Sequence, residues 1–178
     1  MIQHQIKPTD RQSLPKVHGW AAIGWNFKSR MIFYKMKNNN GALSMQAYVE
    51  QILEVEVRRW INEGHRGFIL EQDSASAYGN SGGEKARFNN KVSKWFRNNG
   101  VEVFYNCPMS PDLAPIENAW QGPKQYAKKH PHWDEKHLMD LLTEGWEQVK
   151  YPYINQLVES MPQRLRDVKA LYGNKTAW

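Results

Sequence analysis

The sequence predicts an α/β fold in which a mixed β-sheet is flanked by helices and followed by further helices. Three observations predict it: a β-rich hairpin near the start, a strand–helix–strand unit after it, and helical periodicity alone from about residue 116 onward. A hairpin makes its strands antiparallel, whereas the right-handed crossover of a strand–helix–strand unit makes its strands parallel. Packing helices on the faces of such a sheet buries its apolar side chains.

The hairpin is predicted from Val17–Trp25 and Arg30–Met36, which are rich in β-forming residues and joined by the short link Asn26–Ser29. Ser44 is a candidate N-cap for the helix that follows. That helix is expected to run to about Glu63, because apolar residues recur there with the helical period.

The strand–helix–strand unit comes next. Gly67–Gln72 is a short, nearly continuous apolar run, which is typical of a central strand covered on both faces. Glu84–Asn99 predicts a helix with one apolar face, and Val101–Cys107 predicts the second strand. Sites in open α/β sheets form beyond the carboxyl ends of parallel strands. Function is therefore expected just after Gln72 and just after Cys107.

The rest of the chain is predicted to be helical. In helix 116–129 the missing amide of Pro123 predicts a kink. Residues 134–149 form the next amphipathic helix. Ser160–Gln163 has the spacing of a capping box, so a last helix is expected to begin there and to stop at Gly173.

Length and composition indicate one domain over residues 1–178. No run of 18 apolar residues is present, so no transmembrane helix is expected, and the single Cys107 excludes an internal disulfide. The net charge is +6, and residues 1–49 carry all of it, with seven Lys or Arg against one acid. A basic end indicates a polyanion partner such as nucleic acid, although a solvated basic surface explains the charge equally well.

Two carboxylates fall at the expected functional edge. Asp73 directly follows the strand Gly67–Gln72, and Glu117 lies just inside the helix that begins after the Pro-rich turn Ser110–Pro115. Two acids brought together in this way suit Mg²⁺, which prefers carboxylate oxygens and assists phosphodiester chemistry in pairs of ions. Each acid also has a structural interpretation: Asp73 as a turn residue, and Glu117 as an acid that stabilises a helix N-terminus.

The segment SPDLAPIENAW at positions 110–120 resembles the signature around the last acid of the mariner-type transposases of the DDE superfamily. Three further segments are similar to that family: VHGWAAIG at 17–24, EQDSASAYG at 71–79, and WEQVKYPYINQLVESMPQRLRDV at 146–168. The resemblance implies an RNase H-like catalytic domain that cleaves and joins DNA with Mg²⁺ or Mn²⁺. It implies that Asp73 and Glu117 are the second and third acidic metal ligands.

The family's first acid lies on a strand upstream of the segment like VHGWAAIG, and this sequence has no counterpart of that strand. The predicted sheet is therefore truncated at its N-terminal strand. Asp10 is the only acid before Glu50 and lies in a polar stretch, so we do not expect it to replace the missing ligand. Ser74 and Tyr78 stand where the family usually has Asn and often has His.

These departures predict an incomplete catalytic domain with little or no strand-transfer activity of its own. The main alternative is a catalytically inactive, transposon-derived remnant that only binds nucleic acid. An unrelated nuclease of similar fold is a third interpretation, which the closing helices disfavour. The resemblance further implies DNA as the partner, no membrane, a nuclear location and a homodimer as one assembly to consider.

Lys124, Lys128 and Lys129 follow Glu117 on the same helical segment and are candidates for contacts with the DNA backbone. A solvated helix face explains them equally well. Arg164 and Arg166 could also contact DNA or could pair with Glu159 and Asp167, and the structural role is favoured. Trp60, Trp95 and Trp146 fall on apolar helix faces, so they are expected in the core rather than in base stacking.

Overall fold

A computed structural model describes residues 16–36, 43–72, 78, 84–107 and 109–178. These residues contain six strands, nine α-helices, a π-helical stretch and a 3-10 turn. The strands are β1 His18–Trp20, β2 Ile23–Gly24, β3 Phe27–Lys28, β4 Ile32–Tyr34, β5 Ile69–Gln72 and β6 Glu102–Tyr105. The helices are α1 Met45–Tyr48, α2 Arg58–Asn62, α3 Glu84–Asn89, α4 Lys91–Asn99, α5 Ile116–Ala119, α6 Gln121–Lys129, α7 Glu135–Glu147, α8 Tyr151–Glu159 and α9 Met161–Ala170.

The first four strands form one hairpin in two stretches. β1 pairs with β4 and β2 pairs with β3, both antiparallel, which confirms the predicted hairpin. The turn is shorter than the predicted link, because Phe27 and Lys28 join the ladder. The chain reverses at Trp25 and Asn26 instead, and Asn26 has a φ of 50°, the left-handed conformation that tight turns favour and that Asn tolerates.

The helix after the hairpin runs from Met45 to Asn62, with a π-helical middle stretch at Val49–Val57. The Oγ of Ser44 accepts a hydrogen bond from the amide of Ala47, so the predicted N-cap is confirmed. The buried side chains of this helix form much of the largest core cluster. They are Tyr48, Ile52, Leu53, Val57 and Trp60.

A buried carboxylate ties this helix to the hairpin. The side chain of Glu56 is fully buried, and its oxygens accept hydrogen bonds from Arg30, Arg59 and the indole of Trp60. Arg30 contributes both its amide and its guanidinium. The charge of Glu56 is therefore paired and hydrogen-bonded, as a buried acid requires.

β5 and β6 pair in parallel, which confirms the strand–helix–strand unit. The expectation that this strand is covered on both faces is wrong for the described residues. Leu70 and Gln72 are buried, but Ile69 and Phe104 are more than half exposed, at 57% and 56%. The strands of the described part of the chain form three separate pairs, so β5 has a paired neighbour on one side only.

The helix predicted over 84–99 is two helices, because Asn90 interrupts it. The Oδ1 of Asn90 accepts from the amide of Ser93 at 2.8 Å and so caps α4. Asn competes with helical backbone in this way at many helix starts. Gly100, with a φ of 63°, ends α4 as predicted.

α6 and α7 pack closely against each other. A Cβ placed on Gly145 of α7 would lie 2.8 Å from the Cα of Pro123, so only glycine fits there. The break expected at Pro123 lies instead at Trp120, between α5 and α6. Pro123 then falls in the first turn of α6, where its missing amide costs little.

The break between α8 and α9 falls at Ser160, but the predicted capping box is wrong. Ser160 keeps helical dihedrals and makes no side-chain cap. Its hydroxyl donates to the carbonyl of Leu157 and accepts from Arg164 instead. Arg164, a side chain of the following helix, therefore stabilises the break through its hydrogen bond to Ser160.

Two main core clusters result. The first surrounds the helix Met45–Asn62, which we call the long helix, and includes Trp60 and Trp95. The second joins the hairpin to the C-terminal helices around Trp146. All three indoles are buried, as predicted. Of the helices that the structure describes, none has the length and apolar character needed to cross a membrane.

Candidate active site

The Pro-rich segment and α5 support Glu117, and we call residues 111–119 the platform. A 3-10 turn, Pro111–Leu113, leads through Ala114 and Pro115 into α5. Successive backbone hydrogen bonds hold it, including Ala114 N to Pro111 O at 3.1 Å and Glu117 N to Ala114 O at 3.0 Å. Glu117 lies in the first turn of α5, and its side chain is exposed.

Asn106 connects this platform to the ends of the parallel strands. Its amide donates to the carbonyl of Gln72 at 2.8 Å, which prolongs the β5–β6 pairing by one residue. Its side-chain Nδ2 donates to Glu71 at 3.0 Å and to the carbonyl of Leu113 at 2.9 Å. Asn106 is 7% exposed, so it fixes the 3-10 turn against the carboxyl end of β5. The sequence interpretation missed it, and its signal was an Asn placed between a strand and a Pro-rich loop.

A cavity of about 1000 Å³ lies between the hairpin, β5 and the platform. Most of its wall is apolar, with Trp20, Ile69 and Ile116 among the contributors. Among the residues that the structure describes, the acids that line it are Glu71 and Glu117. The two carboxylates therefore face one shared space at the carboxyl end of the parallel pair.

Glu71 was not among the predicted site residues. Partial burial raises the pKa of Glu71, and the hydrogen bond from Asn106 offsets part of that rise. A carboxylate with a raised pKa beside a cavity is one that a cation would stabilise in its charged form. Alternation along the strand could have found it, since Glu71 points away from the core side chains Leu70 and Gln72.

Asp73 lies outside the described residues, so its pairing with Glu117 stays a prediction. Gln72, the residue before it, lines the same cavity as Glu117. Within the ranges that the structure describes, no group of three or more His, Cys, Asp or Glu side chains could hold a metal ion.

The three predicted DNA-contacting lysines, Lys124, Lys128 and Lys129, are all exposed on α6. Lys128 and Lys129 occupy its last turn, where the helix dipole favours positive charge. None of the three makes an ion pair with a residue in the described part of the chain. Their charges are thus available to a ligand in solvent.

Arg164 is structural, as expected, but its predicted acidic partners are wrong. It is fully buried and donates to the carbonyl of Asp112, to Asn118 and to Ser160. Arg166 contacts the side chain of Gln163. The expected partners, Glu159 and Asp167, lie close to Arg164 in sequence, whereas Asp112 and Asn118 reach it because α9 packs against the 3-10 turn Pro111–Leu113.

No protein-family model matches the chain. Among curated proteins, it is 26% identical to the Tcb2 transposase of Caenorhabditis briggsae, over 98% of this chain and 60% of that protein. It is 25% identical to the Tc1 transposase of Caenorhabditis elegans, over 72% of this chain and 44% of that protein. The chain therefore spans about half the length of the curated relatives that it matches.

Solved structures give the same answer for the fold. The catalytic domain of Mos1 mariner transposase matches with a TM-score of 0.60 at 13% identity, over 90% of this chain and 82% of that one. The same domain solved with Raltegravir and Mn matches with a TM-score of 0.57 at 16% identity, over 94% of this chain and 88% of that one. The fold is the RNase H-like α/β fold of that domain, and the relatives that the chain matches are transposases of Tc1/mariner elements. The predicted fold class and resemblance are confirmed, and the missing first acid stays a prediction.

Proposed function

We propose that this chain is a DDE transposase-like catalytic domain for metal-dependent cleavage and transfer of DNA strands, and that it is incomplete by itself. We further propose that residues 1–178 form a single domain. The placement of Glu117 carries the proposal: it lies beside the carboxyl ends of a parallel strand pair, in a fold shared with a transposase catalytic domain. A fold alone would not support an activity. The motif positions and the transposase relatives add that support.

The residues present suit Mg²⁺ or Mn²⁺. Hard cations of this size take carboxylate oxygens, and the exposed carboxylate of Glu117 faces a cavity that also receives Glu71. Asp73 and Glu117 would hold the metal. When bound, it would supply Lewis acidity toward the attacking and leaving oxygens of the phosphodiester. The chain itself positions the acids, through Asn106 and the 3-10 turn, and presents an apolar wall that limits water.

The cavity is also where a further strand would fit. β1 pairs with β4 and β5 pairs with β6, and both β1 and β5 line the cavity with their residues. A strand paired with both β1 and β5 would join the separate pairs into a mixed sheet. The Mos1 domain is longer than the part that this chain matches. A strand with the family's first acid at this place would complete the site beside Glu117.

DNA is the proposed substrate, and Lys124, Lys128 and Lys129 are its proposed phosphate contacts. They continue along α6 from the end of α5, so DNA at Glu117 could reach them. Phosphate contacts of this kind position the duplex without reading its sequence. The excess of positive charge on the chain favours such binding. A nuclear location and a homodimer are further parts of this proposal.

The expected loss of one ligand favours the alternative of a DNA-binding remnant without catalysis, because two carboxylates bind a divalent ion less well than three. The two functions differ in one respect that can be measured, which is whether the chain binds a divalent metal through Asp73 and Glu117.

Calorimetric titration of the 178-residue chain with Mn²⁺ tests the assignment. We expect Asp73→Ala and Glu117→Gln each to remove most of the binding heat. Glu102→Gln is the matched control, because Glu102 is an exposed acid at the opposite, amino end of β6 and should not matter. Equal heats for all four proteins would remove the metal site and leave the remnant as the better account.

A further inference from the structure

The C-terminal tail closes over the turn that precedes Glu117. Asp112, in the 3-10 turn, is 7% exposed, and Thr176 in the tail is 8% exposed. The Oδ2 of Asp112 accepts from the amide of Thr176 at 3.2 Å and from its hydroxyl at 3.0 Å. The tail thus satisfies a buried carboxylate 64 residues away in the sequence.

Arg164 holds the same platform at two points. Its Nη1 donates to the carbonyl of Asp112 at 2.8 Å, and its Nη2 donates to the Oδ1 of Asn118 at 2.8 Å. Its Nε donates to the hydroxyl of Ser160 at 2.7 Å. The contacts with Asp112 and Asn118 flank Glu117 in sequence, one before it and one directly after it. Because the guanidinium is a rigid planar fork, it fixes the spacing between the turn and α5.

Trp178 packs against Arg164. Its ring lies over the guanidinium of Arg164, 4.7 Å from carbon to ring centroid, and its indole donates to Asp167 at 2.8 Å. Such contact of a cation with an aromatic face is favourable, more so where water is excluded. We call Asp112, Arg164, Thr176 and Trp178 the tail clamp.

We propose that the tail clamp is a positioning device for Glu117, with Arg164 and Thr176 as its central residues. The proposal rests on the proposed role of Glu117 as a metal ligand. α5 has only four residues and runs into α6 through Trp120, which keeps helical dihedrals, so α6 supports its C-terminal end. Its N-terminal end, which carries Glu117, depends on contacts from elsewhere in the chain, because a single helical turn is not stable alone. The clamp supplies such contacts through Arg164 and Thr176.

Stability alone is a poor explanation of the clamp. Removing a buried charged group from water is costly, and well-packed apolar residues often stabilise a fold as well or better. A fully buried arginine with three directed hydrogen bonds therefore points to a need for fixed geometry. That need lies at the only acid between its two anchor points on the platform, Glu117.

The test compares Thr176→Val, which removes the hydroxyl donor at nearly constant volume, with Thr176→Ser, which keeps it. We expect Mn²⁺ affinity, measured by calorimetry, to fall about ten-fold in Thr176→Val and to return to within about two-fold of wild type in Thr176→Ser. Val92→Ala is the matched control: Val92 is buried in the cluster around the long helix, so this variant should lower Tm without changing Mn²⁺ affinity.

Two results would overturn the proposal. One is unchanged Mn²⁺ affinity in Thr176→Val, and the other is an equal loss of affinity in Val92→Ala at an equal loss of Tm. Should the wild-type chain bind no Mn²⁺, the proposed metal site fails, and hydrogen exchange then tests the clamp. Faster exchange of the Asn118 and Ala119 amides in Thr176→Val than in Val92→Ala supports the clamp, and equal exchange contradicts it.

Discussion

At the residue scale, Glu56 is the clearest case of a charge that the fold must satisfy. Burial raises the pKa of Glu56, but the hydrogen bonds from Arg59, Arg30 and Trp60 lower it by more than that, so the pKa falls to about 2. A depressed carboxyl pKa stabilises the folded state at pH values above the unfolded pKa. That stabilisation is lost as pH falls through the folded pKa.

We predict that this acid makes the fold sensitive to pH between about 5 and 2. The ordinary pKa of 4.5 falls to about 2, which corresponds to roughly 3 kcal/mol at about 1.4 kcal/mol per unit. Urea unfolding of wild type and Glu56→Gln measures it. The difference in unfolding free energy should be largest near pH 7 and narrow toward pH 2. Two parallel pH profiles would contradict the prediction.

The lysines of α6 give a second prediction at this scale. Replacing Lys124, Lys128 and Lys129 by Gln should weaken DNA binding uniformly across sequences. The slope of log affinity against log salt should flatten by about 0.9 for each phosphate that the variant no longer neutralises. Fluorescence anisotropy with duplex DNA at several salt concentrations measures both quantities.

A charge-matched control separates local contact from net charge. It replaces three exposed lysines of α3 and α4, namely Lys85, Lys91 and Lys94. If this control changes the affinity and the slope as much as the α6 variant does, the α6 lysines have no special role. The net charge of the chain would then explain DNA binding.

Sequence reasoning reached Glu117 but not the residues that hold it. A Pro-rich turn followed by an acid is a local signal, and local signals predict where a helix begins. The contacts of Arg164 with Asn118 and Asp112 join residues 46 and 52 positions apart, and no periodicity encodes them. Asn106 was missed for the same reason, since its side-chain partners lie 35 and 7 positions away.

At the element scale, the order of strands and helices was predictable, but their interruptions were less so. The long helix and the parallel pair follow from apolar periodicity and the handedness of crossovers. Asn90 divides one predicted helix because its side chain caps the second half. The break predicted at Pro123 is found at Trp120 instead, because proline is tolerated in the first turn of a helix.

The contact between α6 and α7 supports a matched pair of substitutions. Gly145→Ala should destabilise the fold by about 1–3 kcal/mol, because the new methyl group would press on backbone; its Cβ would lie 2.8 Å from the Cα of Pro123. Gly122→Ala should be neutral or stabilising by up to about 1 kcal/mol, since the nearest atom to its Cβ is a valine methyl at 3.4 Å. Chemical denaturation measures both, and equal effects would contradict this packing account.

At the scale of the whole molecule, the central feature is that the antiparallel pair β1–β4 and the parallel pair β5–β6 are not joined in the described part of the chain, and residues of β1 and β5 line one cavity. The sequence predicted both kinds of pairing, because each arises from segments close along the chain. It did not predict that the described strands would form separate pairs, with Ile69 and Phe104 exposed. Joining β1–β4 to β5–β6 requires a further strand between them. The apolar periodicity of one segment does not indicate which strand will lie beside it.

This openness predicts that an added strand would stabilise the chain. We expect a fusion that places a β-forming segment with one Asp before residue 16 to raise Tm and to create Mg²⁺-dependent cleavage of DNA. The same segment with Asn in place of that Asp is the control, which should raise Tm without cleavage. A fusion that changes neither quantity would contradict the proposed strand position.

The most direct test of the account is whether Asp73 and Glu117 bind one metal ion. Crystals soaked in Mn²⁺ and measured at the manganese absorption edge would locate the ion by its anomalous signal. The account predicts one strong peak in the cavity, with carboxylate oxygens of both residues within coordinating distance. A cavity without such a peak, with the two carboxylates directed away from each other, would contradict it.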